Sequence, residues 1–245
     1  MMVPALPSPD HAKATVNMVP WDAESQEHVE MLIKHRLACR WDDDKVAGPW
    51  RQAQREGKKC IFWLILPDND PENENRLQRH LDCFGSEMSA PLEDTCKVLR
   101  GTPIIPSGKS FVPIGHAALD IAQPAADKFN LDIPRDGSAL WIKSLWVSTA
   151  LQSSGLGRAA MDTLEAMAMQ PPLSATMLLL DTLKEEDQLR LRPYVKSSNQ
   201  GWYQRRGYLT IHTAKDFYVI NPLDFQDLGC EPFSTRTVFM RKDLA

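Results

Sequence analysis

The stretch that most constrains this chain is an apolar run ending Leu145-Trp146-Val147, followed after a short loop by Gln152-Ser153-Ser154-Gly155-Leu156-Gly157-Arg158. It reads as strand, turn and helix. A turn of Gly and Ser at a helix start leaves backbone N–H groups unpaired, at the positive end of the helix dipole. Such a turn suits a phosphate or diphosphate. Gly155 and Gly157 fit that use, because a side chain there would hold a ligand off the backbone. Ala160, Met161, Leu164 and Ala168 then fall on one helical face, Pro171-Pro172 stops the helix, and a buried-type strand over 176–180 ends at Asp181. The whole is one β-α-β unit.

The rest of the 245 residues supplies a mixed α/β setting. Strands are expected over 14–19, 60–66, 112–121, 139–147, 208–213 and 235–241. Gly115 marks a bulge or a close backbone approach. A first helix capped by Asp22 or Ser25 carries Val29, Leu32, Ile33 and Leu37 at helical spacing. Leu77, Leu81, Phe84 and Met88 predict a second helix inside a long connection, and 199–206 a short third one. The Asp42-Asp43-Asp44 run leads into a polar link. Residues 1–13 read as a loose leader and 14–245 as one domain, with insertions at about 67–110 and 122–137.

Composition narrows the class. A net charge of −4 gives no electrostatic argument for nucleic acid or an anionic membrane, and no apolar run nears the ~20 residues of a membrane span. The N-terminus has neither the positive region nor the apolar core of a secretory signal. Five scattered cysteines without a Cys-x-x-Cys pair fit reduced thiols in a cytoplasmic protein and no zinc site.

Two ligands suit the turn. Residues 155–160 match G-x-G-x-x-A, and Asp181 ends the next strand where a ribose-binding acid would stand. That reading makes the chain a dinucleotide-binding oxidoreductase. Against it, residues 148–154 separate the strand from the first glycine, and only one β-α-β unit is evident where several are needed. The second reading begins at Gln152. Gln-x-x-Gly-x-Gly after Leu145-x-Val147 resembles the acetyl-CoA loop of the GCN5-related N-acetyltransferase superfamily. Trp202-Tyr203-Gln204-Arg205-Arg206-Gly207-Tyr208 resembles that family's Phe-Tyr-x-x-x-Gly-Phe segment, and Ile114-Gly115-His116-Ala117-Ala118-Leu119 its third strand. The specific match covers residues 140–169 and 199–209.

The resemblance implies a twisted, mostly antiparallel sheet of six to seven strands, with helices on both faces and a central β-α-β unit for acyl-CoA. It implies acetyl-CoA as acyl donor, its pyrophosphate on Gln152, Ser153, Ser154, Gly155, Leu156, Gly157 and Arg158, and pantetheine paired along Leu145, Trp146 and Val147. An N–H at Trp146 or Val147 would stabilise the acyl oxygen. Arg158 either contacts phosphate or faces solvent. Asn199 matches a CoA-contacting Asn or caps its helix. Tyr203 matches the acid that protonates the leaving thiolate, a sensible pairing of a phenol of pKa ~10 with a thiol of roughly 8.5. Many relatives place a Glu on the strand before the loop, and 139–147 has no carboxylate. The general base is therefore open among Asp120, His116, Asp181 and a water chain. The acceptor is an amine: a small or amino-acid-like molecule, a protein N-terminus or a lysine. Acidic residues of the first insertion (Asp68, Asp70, Glu72, Glu74, Glu87, Glu93 and Asp94) would suit a cationic one, or simply solvate a loop. Homodimers are frequent among relatives. The rival within this family is a module that binds acyl-CoA without turnover.

Overall fold

The strands in the middle of this chain are largely apolar and buried, and the sheet that results is covered on both faces. The computed structural model describes residues 13–68, 70–121, 124–218 and 233–244. Counting only the main sheet, the strands are β1 (Asn17–Pro20), β2 (Lys59–Ile65), β3 (Gly115–Asp120), β4 (Ala139–Val147), β5 (Met177–Leu183), β6 (Leu209–Lys215) and β7 (Arg236–Asp243). Their order is β1-β2-β3-β4-β5-β7-β6, and β4 with β5 is the parallel pair among antiparallel neighbours. A doubly wound parallel sheet, which the oxidoreductase reading needs, is not what these strands form.

The longer helices are α1 (Gln26–Cys39), α2 (Glu72–Phe84) and α3 (Leu156–Ala168), and among the shorter ones are α4 (Glu185–Leu191) and α5 (Asn199–Gln204). Strand alternation sorts the core. Cys60 and Phe62 of β2, Leu178 and Leu180 of β5, and Val238 and Met240 of β7 pack with Met161, Leu164 and Ala168 of α3. Ile61 and Trp63 face the other way, onto Val29 and Leu32 of α1. Burying a side chain such as Leu164 contributes roughly 1.5–3 kcal/mol. Trp141, Leu179 and Phe239 form a further cluster on the face opposite α3.

Local chemistry sets the helix ends. Ser25 caps α1, its Oγ accepting from the His28 N–H, and Arg40 in the left-handed region closes the helix. The inward stripe of α1 differs from its apolar spacing: His28, His35 and Arg36 are buried with Val29, Met31 and Leu32, while Leu37 is exposed. Polar side chains thus hold part of the core face. The expected polar link after Trp41 is helical over much of residues 43–55, including a π turn at Val46–Trp50 that accommodates Pro49 and buries Val46 and Trp50. The leader expected over 1–13 lies outside the described residues apart from Lys13, which pairs with Asp162 of α3 at 2.8 Å. Among the described residues no helix is long and apolar enough to cross a membrane.

Candidate active site

The parallel strands β4 and β5 stay together for only three residues. Ala139, Leu140 and Trp141 pair with Met177, Leu178 and Leu179, and beyond them the strands separate. A cavity of about 480 Å³ opens where they part. Ser144, Leu145 and Trp146 line it from β4, Asp181 from β5, Asn199 and Tyr203 from α5, and Arg36 and Trp41 from the end of α1.

Backbone direction along β4 follows from its pairing with β3. His116 lies opposite Trp146 and Ala118 opposite Lys143, so Ala117 faces both Ser144 and Leu145. That is a bulge, and Ser144 adopts a φ of 53° within it. The Trp146 carbonyl points at β3 so closely that a Cβ on Gly115 would collide with it, which is the close approach the glycine permits. Ser148 N–H also turns to β3, donating to the Ile114 carbonyl at 2.8 Å. By alternation, the peptide groups of Leu145 and Val147 face the other way, into the gap. Gln152 Nε2 donates to the Val147 carbonyl at 3.4 Å.

The turn expected to hold phosphate lies directly before α3. Gly155 is the N-cap at φ 85°, with no side chain capping the helix. The first N–H groups of α3 therefore have no helical partner. A Cβ on Gly157 would meet nothing within 4 Å, so packing does not require glycine there. Gln152, Ser153 and Arg158 are exposed, and no residue of 152–158 lines the cavity. The turn and the cavity are joined by the end of β4.

Among solved structures, a GNAT-family acetyltransferase assignment from Desulfovibrio desulfuricans matches at 11% identity and a TM-score of 0.51, over 94% of this chain and 100% of that one. The spermidine/spermine N-acetyltransferase of Vibrio cholerae matches at 8% identity and a TM-score of 0.50, over 94% of this chain and 92% of that one. The chain has the GCN5-related N-acetyltransferase fold. No protein-family model and no curated protein sequence matches it.

Within this GCN5-related fold the expected site residues divide. Tyr203, Asp181, Asn199, Leu145 and Trp146 line one cavity. Burial raises the pKa of Tyr203 above the ordinary tyrosine value, and the Asp181 charge raises it further. Asn199 is exposed at the start of α5, where Ser198 is the cap and accepts from Gly201 N–H at 2.9 Å. Asp181 is held by Lys143 Nζ and by the Tyr218 hydroxyl, both in short hydrogen bonds.

Two expected bases lie elsewhere. Asp120 accepts from Lys59 Nζ at 2.7 and 2.8 Å and does not line the cavity. His116 is fully buried beneath Trp146, with ring centroids 5.7 Å apart, and its Nε2 accepts from Arg36 Nη1 at 3.3 Å. Burial first, then the Arg36 charge, holds its pKa well below the usual histidine value. A ring with no route to the cavity and a cation on its lone pair is no base for a substrate there. The acidic residues of the first insertion do not line the cavity either.

Sequence reasoning missed Arg36, Lys143 and Tyr218. Lys143 alone carried a signal, as the one charge inside the apolar run of β4.

Proposed function

We propose that the chain is an acetyl-CoA-dependent N-acetyltransferase, moving an acetyl group to an amine by direct attack on the thioester. The observation that carries this reading is the edge of β4, where the peptide groups of Leu145 and Val147 face a gap that Tyr203 also lines. Acetyl-CoA supplies an acetyl group already activated as a thioester.

The chain's own parts fit that group. The unpaired N–H groups at Gly155–Arg158 suit its pyrophosphate, with open space at Gly157. Leu145 and Val147 offer strand-like pairing to pantetheine. Of the two expected donors for the acyl oxygen, Val147 N–H is the one turned to the gap. An N–H fixed in place stabilises developing negative charge without reorganising. Tyr203 holds a proton for the departing thiolate, and its raised pKa keeps it protonated. Asp181 is the one expected base that lines the cavity, acting directly or through water. Acceptors in keeping with this site are small or amino-acid-like amines, protein N-termini and lysines.

One observation favours a second reading, a module that binds acyl-CoA without turnover. Among the described residues both lining carboxylates are ion-paired, Asp181 with Lys143 and Asp42 with Lys45 at 2.6 Å. Calorimetric titration with acetyl-CoA, with NADPH as the comparison ligand, tests the assignment. Acetyl-CoA binding with thiol release on adding amines supports the transferase. Binding without thiol release across an amine panel supports the module, and binding of NADPH alone overturns both.

A further inference from the structure

Arg36 stands out among the groups that line the cavity. Its side chain is 5% exposed, yet its hydrogen-bond partners are neutral. Nε donates to the Trp41 carbonyl at 2.7 Å, Nη1 to His116 Nε2 at 3.3 Å, and the guanidinium lies 5.1 Å over the Trp50 ring. The nearest carboxylate, Asp42, is 3.8 Å from Nη2 and is itself held by Lys45. Asp181, the other lining carboxylate, is taken by Lys143. His116 cannot offset the charge, since a ring that accepts from a guanidinium is neutral.

A buried cation whose one carboxylate partner is 3.8 Å away and shared with Lys45 is only partly compensated, and a desolvated guanidinium binds a carboxylate strongly. Arg192, also lining the cavity and exposed, adds to the same positive field. The residues assigned to pyrophosphate, 152–158, lie outside the cavity lining, so this charge is not explained by the cofactor's phosphates.

We propose that the acceptor carries a carboxylate as well as its amine, an amino acid or a peptide-like analogue, and that Arg36 at the cavity wall holds that carboxylate. This rests on the transferase reading for its chemistry. It replaces the cationic acceptor that the acidic insertion suited. Arg36 is thereby a specificity-determining residue, with Trp41 and His116 fixing the plane of the guanidinium.

The test compares paired ligands. Thiol release is measured with a panel of L-amino acids and with the matching amino-acid amides. The wild type should favour the carboxylate member by about tenfold or more in kcat/KM, because a neutral amide cannot form the charge-assisted hydrogen bond. Arg36→Gln should collapse that ratio toward one, and Arg36→Lys should restore part of it, with thermal melts confirming that both variants fold. A wild-type ratio at or below one overturns the proposal.

A second measurement needs no turnover. N-acetyl-L-amino acids and their amides are titrated into the protein with CoA present and with CoA absent. Preference for the carboxylate that vanishes in Arg36→Gln supports the anion site even if acetyl-CoA fails to react, so the two readings fail separately. Equal affinity for acid and amide overturns the anion site. Loss of acetyl-CoA affinity in Arg36→Gln, with the acid-over-amide preference intact, reassigns the charge to the cofactor and overturns it too.

Discussion

Taking the Tyr203 hydroxyl out of water raises its pKa, and the Asp181 charge raises it further against a smaller opposing pull from Arg206. A general acid must be protonated when the leaving group departs, so a raised pKa keeps Tyr203 competent well into the alkaline range. Tyr203→Phe is expected to lower kcat by about 100-fold or more, within the range for general acid catalysis. A stopped assay of thiol release checks this, and an unchanged kcat sinks the acid assignment. No alkaline limb from Tyr203 should appear in the wild-type profile below about pH 10. Gly157 gives a second residue-scale test. Its Cβ position is open, whereas Gly155 at φ 85° would be strained by any side chain. Gly157→Leu should therefore raise stability by up to about 1 kcal/mol through helix propensity while blocking acetyl-CoA. A urea midpoint that rises while affinity falls separates a ligand cradle from a packing position. Affinity within twofold of wild type would remove the turn from the cofactor site.

At the scale of elements, legibility follows what each segment buries and against what. Strand β4 runs from Ala139 to Val147 as its apolar run predicts, and α3 ends at Ala168 ahead of the Pro171-Pro172 stop. Residues 43–55 read as a polar link because the Asp42-Asp43-Asp44 run dominates their start, while a π turn keeps Pro49 helical and Val46 and Trp50 are buried. The candidate site divides the same way. The turn of 152–158 is a local pattern and shows in sequence. Arg36 and Tyr218 reach the cavity only through tertiary packing, and an arginine on a helix looks like surface until the partner is known. The insertion helix α2 is another case. It carries few buried apolar side chains, yet His80 Nδ1 meets Ser148 Oγ at 2.9 Å where β4 ends, and the Phe84 ring lies 6.1 Å from Trp146. Both groups of the His80–Ser148 pair are buried. Ser148→Ala leaves a buried imidazole nitrogen unsatisfied and should cost about 1–3 kcal/mol. Urea unfolding reads this, and a loss under about 0.5 kcal/mol would mean that α2 does not brace the strand.

At the scale of the molecule, four histidines buried among the described residues tie α1 and the first insertion to the sheet, and each is held neutral. His28 Nδ1 accepts from both Asp22 N–H and Trp63 Nε1, at 3.0 and 3.1 Å, so the proton sits on Nε2 and is donated to the Glu93 carbonyl at 2.9 Å. His35, packed on Trp63 and Trp146, has its pKa lowered to about 3 by burial, and burial lowers His28, His80 and His116 as well. An unfolded histidine titrates near 6.5, so between that value and the lower folded one the unfolded chain binds more protons. Stability is then fully present above about pH 6.5 and falls as pH drops through it. Each strongly shifted histidine should remove about 1.4 kcal/mol per pH unit, or roughly 2 kcal/mol by pH 5. Two such groups take about 4 kcal/mol from a total that is typically ~5–15. Urea unfolding at pH 7.5, 6 and 5 should show that loss, and His35→Phe should flatten the slope by about one proton. Equal stability at pH 7.5 and pH 5 would mean these rings accept protons in place, and the neutral core argued for them would be wrong. The same neutrality lets His116 Nε2 accept from Arg36 Nη1, which a charged imidazole could not do. Protonating His116 would therefore both destabilise the fold and break a hydrogen bond that fixes Arg36 in the cavity wall.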